Sequence, residues 1–368
     1  MKATQQLHDL GQSLWLDNIT RGLLTGGTLA RYIGEYSVTG LTSNPTIFDK
    51  AIRESSFYDA AIHEKAAAGK SGEALFFELA LEDLTQAADL FRPVHDATAG
   101  IDGWVSLEVS PLLADDTAGT IRAAAALHRR AQRPNLFIKI PGTAAGVRAI
   151  EETIFAGVPV NVTLLFSCEQ YLAAAEAYMR GIERRIAAGL GPKVQSVASI
   201  FVSRWDAAVQ DKVGAPLRNR LGIAVARRTY RAYRKLLDTT RWRQLAAAGA
   251  DPQRVLWAST GTKDPKAPDT LYIEALAAPD TVNTMPEATL LAFADHGKLS
   301  GQMRPDGGDA DALLAEFERS QIEQGPIAAQ LQREGAQSFT KSWNSLLECI
   351  NSKSAQLARR DPAAAARR

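Results

Sequence analysis

Lys139 ends the short apolar run Asn135-Leu136-Phe137-Ile138-Lys139-Ile140 and stands just before Pro141-Gly142. A helix-ending cluster before it and a Pro-Gly breaker after it make the run a buried strand. Burial disfavours the charged ammonium, which would leave an amine able to attack a carbonyl. The same residues allow a second reading, in which Lys139 snorkels out at the strand tip or pairs with a carboxylate. Residues two apart share a strand face. Leu136, Ile138 and Ile140 form an aliphatic face, so Phe137 and Lys139 point the other way. The same alternation pairs Trp15 with Asp17, Ser106 with Glu108, Asn161 with Thr163, and Ser199 with Phe201. One polar residue near the end of one strand would be ordinary. Five strands sending polar groups to one mouth are not explained by packing, because buried polar groups cost free energy unless satisfied. A lysine with two carboxylates, a threonine and asparagines, and no metal-ligand cluster, suits Schiff-base chemistry. The amine condenses with a ketone, and the iminium draws in the electrons of a breaking C–C bond. A base must take a hydroxyl proton and an acid must help dehydrate the carbinolamine, tasks that two carboxylates in different surroundings can divide.

Such a mouth needs parallel strands with their carboxyl ends together. Strand-like runs at 13–17, 38–42, 104–109, 135–140, 158–162, 196–201, 254–259 and 280–284 alternate with helical stretches. Eight such units imply a closed (β/α)8 barrel with its site at the carboxyl-end face. An open doubly wound sheet is the runner-up, but no G-x-G-x-x-G turn follows the first strand. Helix starts are marked by Pro45 and Pro286, by Asp115-Asp116, and by Ser167-Cys168-Glu169-Gln170, which reads as a capping box; Gly157 and Gly297 suit helix stops. A barrel takes about 250 residues, and the chain has 368. The expectation is one domain, 1–368, with its barrel core at about 10–300. A helical insertion falls at about 57–91, a C-terminal helical extension at about 301–358 and a frayed Ala/Arg tail at 359–368. Two helices are expected in the extension, at 327–331 and 338–357. Trp343, Leu346, Leu347 and Ile350 recur there at helical spacing and mark a core-facing stripe.

Composition narrows the function. The net charge of +1, from 42 Lys+Arg against 41 Asp+Glu, argues against a general nucleic-acid binder. Cys168 and Cys349 make neither a disulfide framework nor a zinc pattern, which points to a reducing, cytoplasmic setting. The N-terminus lacks an apolar signal core, and no apolar run approaches the ~18–20 residues of a membrane span. The histidines, His8, His63, His95, His128 and His296, are scattered away from strand ends.

At these residues the chain resembles the transaldolase family in its longer form. The resemblance rests on six segments in order: Leu14-Trp15-Leu16-Asp17; Gly40 to Thr46; Ser106-Leu107-Glu108-Val109; Phe137-Ile138-Lys139-Ile140-Pro141; Asn161 to Ser167; and Ser199 to Arg204. It spans roughly residues 10–300. It implies a barrel that needs no cofactor and acts on sugar phosphates. A dihydroxyacetone unit moves from sedoheptulose 7-phosphate to glyceraldehyde 3-phosphate, giving erythrose 4-phosphate and fructose 6-phosphate in the pentose phosphate pathway. By resemblance, Lys139 forms the Schiff base. Asp17 handles the proton of the C4 hydroxyl. Glu108, through a water held with Thr163, serves imine formation and hydrolysis. Asn44, Asn161 and Ser199 hold the dihydroxyacetone hydroxyls, with Thr42 and Phe201 also on the substrate side. Arg204 binds phosphate, a task suited to a guanidinium fork.

One departure touches the phosphate site. The family's second phosphate arginine follows a serine after the seventh strand, where this chain reads Ser259-Thr260-Gly261-Thr262-Lys263-Asp264. Ser259 matches, and Lys263 is the available cation. The other is Pro141-Gly142-Thr143, where other branches have a turn without proline. Each matched residue also has a plainer reading: Asn44 as a helix N-cap, Asp17 as a cap, Arg204 as a solvated residue opening a long helix. Two rival functions remain open. A fructose-6-phosphate aldolase-like enzyme would release free dihydroxyacetone, but such relatives carry tyrosine at the position of Phe201 and glutamine at that of Glu108. A catalytically silent barrel would bind sugar phosphates or a protein, and would be expected to lose the lysine or a carboxylate. A homodimer is compatible with the sequence, which also leaves open whether the C-terminal helices cover the site, pack beneath the barrel or form an interface.

Overall fold

A computed structural model describes residues 2–360. Its centre is a closed barrel of eight parallel strands in sequential order. They are β1 (Gln12–Asp17), β2 (Val38–Thr42), β3 (Trp104–Glu108), β4 (Leu136–Pro141), β5 (Val160–Leu165), β6 (Ser196–Phe201), β7 (Arg254–Ala258) and β8 (Thr281–Met285). The expected (β/α)8 architecture is therefore present and the doubly wound alternative is not. Among the described residues, no helix is long and apolar enough to cross a membrane.

The alternation read from the sequence holds on the strands. Leu14, Leu16, Val105, Leu107, Leu136, Ile138, Ile140, Val160, Val162, Ala198 and Ile200 all pack in the cluster between barrel and helices. Trp15, Trp104, Phe137, Val197, Leu256 and Val282 belong to a second cluster inside the barrel. Trp104 stacks on Phe137 with ring centroids 4.1 Å apart, and Trp15 lies 6.1 Å from Phe137. These rings plug the barrel floor. Gly40 makes room for them, since a Cβ there would sit 2.7 Å from the Trp15 ring. The plug keeps water from reaching the mouth from below.

The strands at 38–42 and 196–201 fall where expected, and the other strands differ at one or both ends. The fifth strand runs to Leu165, not to residue 162, because its pairing with β6 slips between Val162 and Leu165. Leu164 takes up the slip with φ +58°, a left-handed conformation that a branched side chain adopts only at a cost. Pro141 is not a breaker outside β4 but its last residue, paired with Thr163.

The insertion is helical as expected, but longer than 57–91. It consists of helices Pro45–Arg53, Asp59–Ala67 and Gly72–Ala97. Helix Ala310–Arg319 was not anticipated. The expected pair at 327–331 and 338–357 is one continuous helix of 37 residues, Gln324–Arg360. Only Gly335 interrupts strong helix formers between those two stretches, and one glycine costs about 1 kcal/mol, too little to end a helix that packs along its length. Arg359 and Arg360, placed in the tail by sequence, complete this helix. The rest of the expected tail, 361–368, lies outside the described residues.

The C-terminal helix crosses the carboxyl-end face of the barrel. Thr46 Oγ1 meets Ser342 Oγ at 2.8 Å, and Lys353 Nζ reaches Asp59 Oδ1 at 2.8 Å. Trp343, Leu346 and Ile350 are buried, as the stripe requires, and Leu347 packs partly buried beside them. Trp343 meets Phe76 edge-on at 4.9 Å and donates from Nε1 to Glu73 Oε1 at 3.0 Å. Truncating a buried tryptophan costs about 3–5 kcal/mol. Trp343→Ala should therefore lower the urea midpoint strongly. Trp343→Phe, which keeps a ring and loses one hydrogen bond, should cost about 1–2 kcal/mol. Equal midpoints for the two variants would refute the packing account.

Candidate active site

Ten of the twelve residues singled out by sequence line one cavity of about 250 Å3 at the carboxyl-end mouth: Asp17, Thr42, Asn44, Lys139, Thr163, Ser199, Phe201, Arg204, Ser259 and Lys263. Glu108 and Asn161 lie behind its wall.

Lys139 is 5% exposed. Its Nζ lies 3.1 Å from Glu108 Oε2 and donates to the Ser43 carbonyl at 3.1 Å. Of the two readings of this lysine, the pairing is realised without any escape to solvent. Register explains the contact, since Glu108 on β3 is paired with Lys139 on β4, and Lys139 in turn with Asn161 on β5. Adjacent strands at matched heights put matched side chains in reach. Glu108 is also 5% exposed, and burial raises its pKa above the usual carboxylate range while Lys139 pulls it back. Among the described residues, Glu108 Oε1 and Thr163 Oγ1 have no hydrogen-bond partner.

Asp17 ends β1 at the same mouth. Burial raises its pKa, against the opposing pull of Lys139, the Thr42 hydroxyl, Lys263 and Arg204. Thr42 Oγ1 donates to Asp17 Oδ1 at 2.8 Å and also meets Thr284 Oγ1 at 2.7 Å. Asp17 does not cap the next helix; Thr20 does. Asn44 is an N-cap, accepting from the Ile47 N–H at 3.1 Å through Oδ1. It also lines the cavity, so the cap role does not take it away from the site. Ser199 Oγ donates to Asn161 Oδ1 at 2.7 Å, and Asn161 Nδ2 donates to Ser106 Oγ at 3.1 Å. Asn161 is thus fully buried and orients Ser199 from behind.

Arg204 does not open a long helix. Its helix, Ser203–Val209, has seven residues. The guanidinium lies 5.2 Å over the Phe201 ring and is half-buried, which lowers its pKa against the pull of Asp17. Ser259 sits at φ +54° after β7 and meets Ser203 Oγ at 2.9 Å. Lys263 is exposed on the rim. The polar wall therefore has a cationic side made by Arg204 and Lys263, apart from the Lys139–Glu108 pair below.

Of the cavity-lining residues that sequence did not single out, Thr284 and Phe339 bear most on the site. Thr284 follows from applying the strand alternation to β8, where it shares a face with Val282. Phe339 comes from the C-terminal helix, and its only local signal is its place four residues before Trp343 on the apolar stripe. None of the histidines lines the cavity.

The raised pKa of Asp17 has a consequence for stability. A carboxyl that holds its proton more tightly folded than unfolded destabilises the fold once pH rises through its folded pKa. Below its ordinary value of 3.8 both states are protonated and the cost is gone. Asp17→Asn keeps an acceptor for Thr42 and removes the charge. It should raise the thermal midpoint at pH 7, by an amount that shrinks as pH falls toward 4. A gain that grows at low pH would contradict the burial argument.

Comparison with known proteins agrees with this geometry. Residues 14–350 match the family model described as transaldolase/fructose-6-phosphate aldolase. A protein named transaldolase from Arthrobacter sp. (strain FB24) is 48% identical over 94% of this chain and 95% of its own. One of that name from Parafrankia sp. (strain EAN1pec) is 47% identical over 95% and 97%. Transaldolase 2 of Streptomyces coelicolor is 42% identical over 97% and 98%. With a family match over nearly the whole chain and full-length relatives at these identities, the chain belongs to the transaldolase/fructose-6-phosphate aldolase family.

Proposed function

We propose that the chain is a transaldolase that carries a dihydroxyacetone unit on Lys139. The observation that supports it most is a buried lysine paired with one carboxylate and facing the same cavity as a second. In this reading Lys139 gives a proton to Glu108, and the resulting amine adds to C2 of sedoheptulose 7-phosphate. Loss of water from the carbinolamine gives an iminium. Asp17 takes the C4 hydroxyl proton, the C3–C4 bond breaks, and its electrons move into the iminium to leave an enamine on Lys139. Erythrose 4-phosphate departs. Glyceraldehyde 3-phosphate then enters, C3 attacks its aldehyde, Asp17 returns the proton, and hydrolysis frees fructose 6-phosphate.

The assigned roles follow the positions. A carboxyl whose pKa burial raises is a stronger base when ionised, which suits Asp17. Glu108 Oε1 and Thr163 Oγ1 are the two unpartnered groups beside the imine position and would hold the water used in dehydration and hydrolysis. Thr42 keeps Asp17 aimed. Asn44 Nδ2 and the Ser199 hydroxyl meet the dihydroxyacetone hydroxyls, with Asn161 fixing Ser199. Arg204, Ser259 and Lys263 take the phosphate, and Phe201 supports the Arg204 plane. Both cysteines are free and buried, which accords with a reducing, cytoplasmic setting.

The deciding assay follows glyceraldehyde 3-phosphate release from fructose 6-phosphate, with and without erythrose 4-phosphate. Sustained release only with the acceptor is expected. Release without it would make the chain an aldolase. Borohydride with fructose 6-phosphate should add a mass to the Lys139 peptide, and label on another residue would refute the assignment. For phosphate binding, hydrogen bonds to a charged group contribute about 1.5–3 kcal/mol, so Arg204→Ala should lower kcat/KM by about 10- to 150-fold, chiefly through KM. Lys263→Ala, on the solvated rim, should cost about fivefold or less. The reverse ranking would transfer the main phosphate contact to Lys263.

A further inference from the structure

We propose that Phe339 is the residue that keeps water from the enamine on Lys139, and so makes the reaction a transfer; this rests on the Schiff-base reading above. The C-terminal helix brings the phenyl ring to 5.7 Å from Lys139 Nζ, on the wall of the cavity and 5% exposed. Most of the other side chains lining the cavity are polar, so a large apolar group beside Lys139 has an effect beyond packing. It covers the nitrogen with a surface that neither donates a proton nor binds water.

The ring is fastened on both sides along one helix face. Seven residues before it, Gln332 donates from Nε2 to the carbonyls of Gly142 at 3.0 Å and Leu164 at 2.9 Å. Those carbonyls stand just beyond β4 and within the bulge of β5, the strands that carry Lys139 and Thr163. Four residues after it, Trp343 donates to Glu73 Oε1, which also accepts from Ser110 Oγ at 2.8 Å, two residues beyond Glu108. Both clamps therefore grip chain adjoining the reacting groups. Gly335 lets the helix come this close, since a Cβ there would lie 2.9 Å from the Leu164 side chain and 3.3 Å from Arg204 Nη1. Gln332 and Trp343 are positioning residues, and Phe339 is the one they position.

The chemistry that this cover opposes is definite. To lose the fragment without an acceptor, the enamine must take a proton at C3 to give the iminium. A water must then add at C2, and the carbinolamine must collapse to free dihydroxyacetone and the lysine ammonium. That route consumes one proton and one water. Transfer to an aldehyde needs no water and no proton on C3 at the enamine stage; its one proton passes from Asp17 to the aldehyde oxygen. Phe201 is the other aromatic group on the wall and equally offers no proton.

The test compares two rates in the full-length protein with fructose 6-phosphate as donor: free dihydroxyacetone release without acceptor, and transfer to erythrose 4-phosphate. Phe339→Ala should raise the ratio of release to transfer by about tenfold, and Phe339→Leu, which keeps an apolar cover, by about threefold. Gln332→Ala should shift the ratio in the same direction. Parallel losses in both rates, with the ratio unchanged, would reduce Phe339 to a packing residue and overturn the proposal. If Phe339→Ala does not fold, the leucine variant decides by the same ratio. Borohydride trapping on Lys139 is run alongside. An adduct on Lys139 in every variant with an unchanged ratio sinks only the role of Phe339. No adduct in the unaltered protein sinks the Schiff-base reading and this proposal with it.

Discussion

Lys139 and Glu108 hold opposite charges 3.1 Å apart at the top of a barrel whose floor is sealed by aromatic rings. Each charge alone in that place would cost several kcal/mol in lost hydration, and the pair offsets the cost only while both members stay aligned. Alignment comes from strand register, which sets β3 and β4 side by side with these two residues level. The Ser43 carbonyl takes another ammonium proton from the β2 side. The site thus depends on the rigidity of the sheet. A small slip of β4 would separate the charges and strand each of them in an apolar setting. The aliphatic outer faces of the strands, packed on helices, are what prevent that slip.

The two carboxylates are made unequal by their surroundings. Glu108 is tied to Lys139 and keeps one oxygen unpartnered. Asp17 is bonded to Thr42 and feels Lys139, Lys263 and Arg204 from further away. Burial pushes both toward the neutral form, and cations pull both back. The cations differ in number and closeness, and the Asp17 charge pushes Glu108 further up. In the proposed reaction these unequal surroundings would let one carboxyl serve the imine and the other the C4 hydroxyl. The threonine pair adds direction to Asp17: with its one proton given to Asp17, Thr42 accepts from the Thr284 hydroxyl, and that second bond fixes which way the Thr42 proton points.

Much of this was legible in local sequence pattern. Period-two alternation placed Asp17, Glu108, Lys139, Thr163 and Ser199 at one mouth because each lies on a strand whose opposite face is aliphatic. Asn161 shares that face, level with Lys139, but is fully buried behind the cavity wall, where Ser199 and Ser106 engage its amide. Alternation fixes a side and not a depth. The end of β5 was misjudged because a bulge is invisible in an apolar run; Val158 and Leu165 look equally strand-like. The single C-terminal helix was missed because Gly335 resembles a break when its partners, Leu164 and Arg204, are unknown.

What the sequence could not show is concentrated where the chain meets itself over long separations. Gln332 bonds to Gly142 and Leu164, and Trp343 bonds to Glu73, across 168 to 270 residues. No periodicity spans such distances. Yet these contacts decide the dielectric at Lys139. The barrel alone supplies a lysine, two acids and a cationic rim, all open to water from above. The C-terminal helix sets the apolar Phe339 ring on the cavity wall at Lys139, and an apolar neighbour strengthens the electrostatic interactions beside it. The helix can do so only because its apolar stripe continues past the site, through Trp343, Leu346 and Ile350, into packing that has no part in the chemistry. Burial at 343–350 thus stabilises the placement of Phe339, while the polar groups at the mouth, poor contributors to folding, remain free to react. Stability and reactivity are assigned to successive turns of one helix.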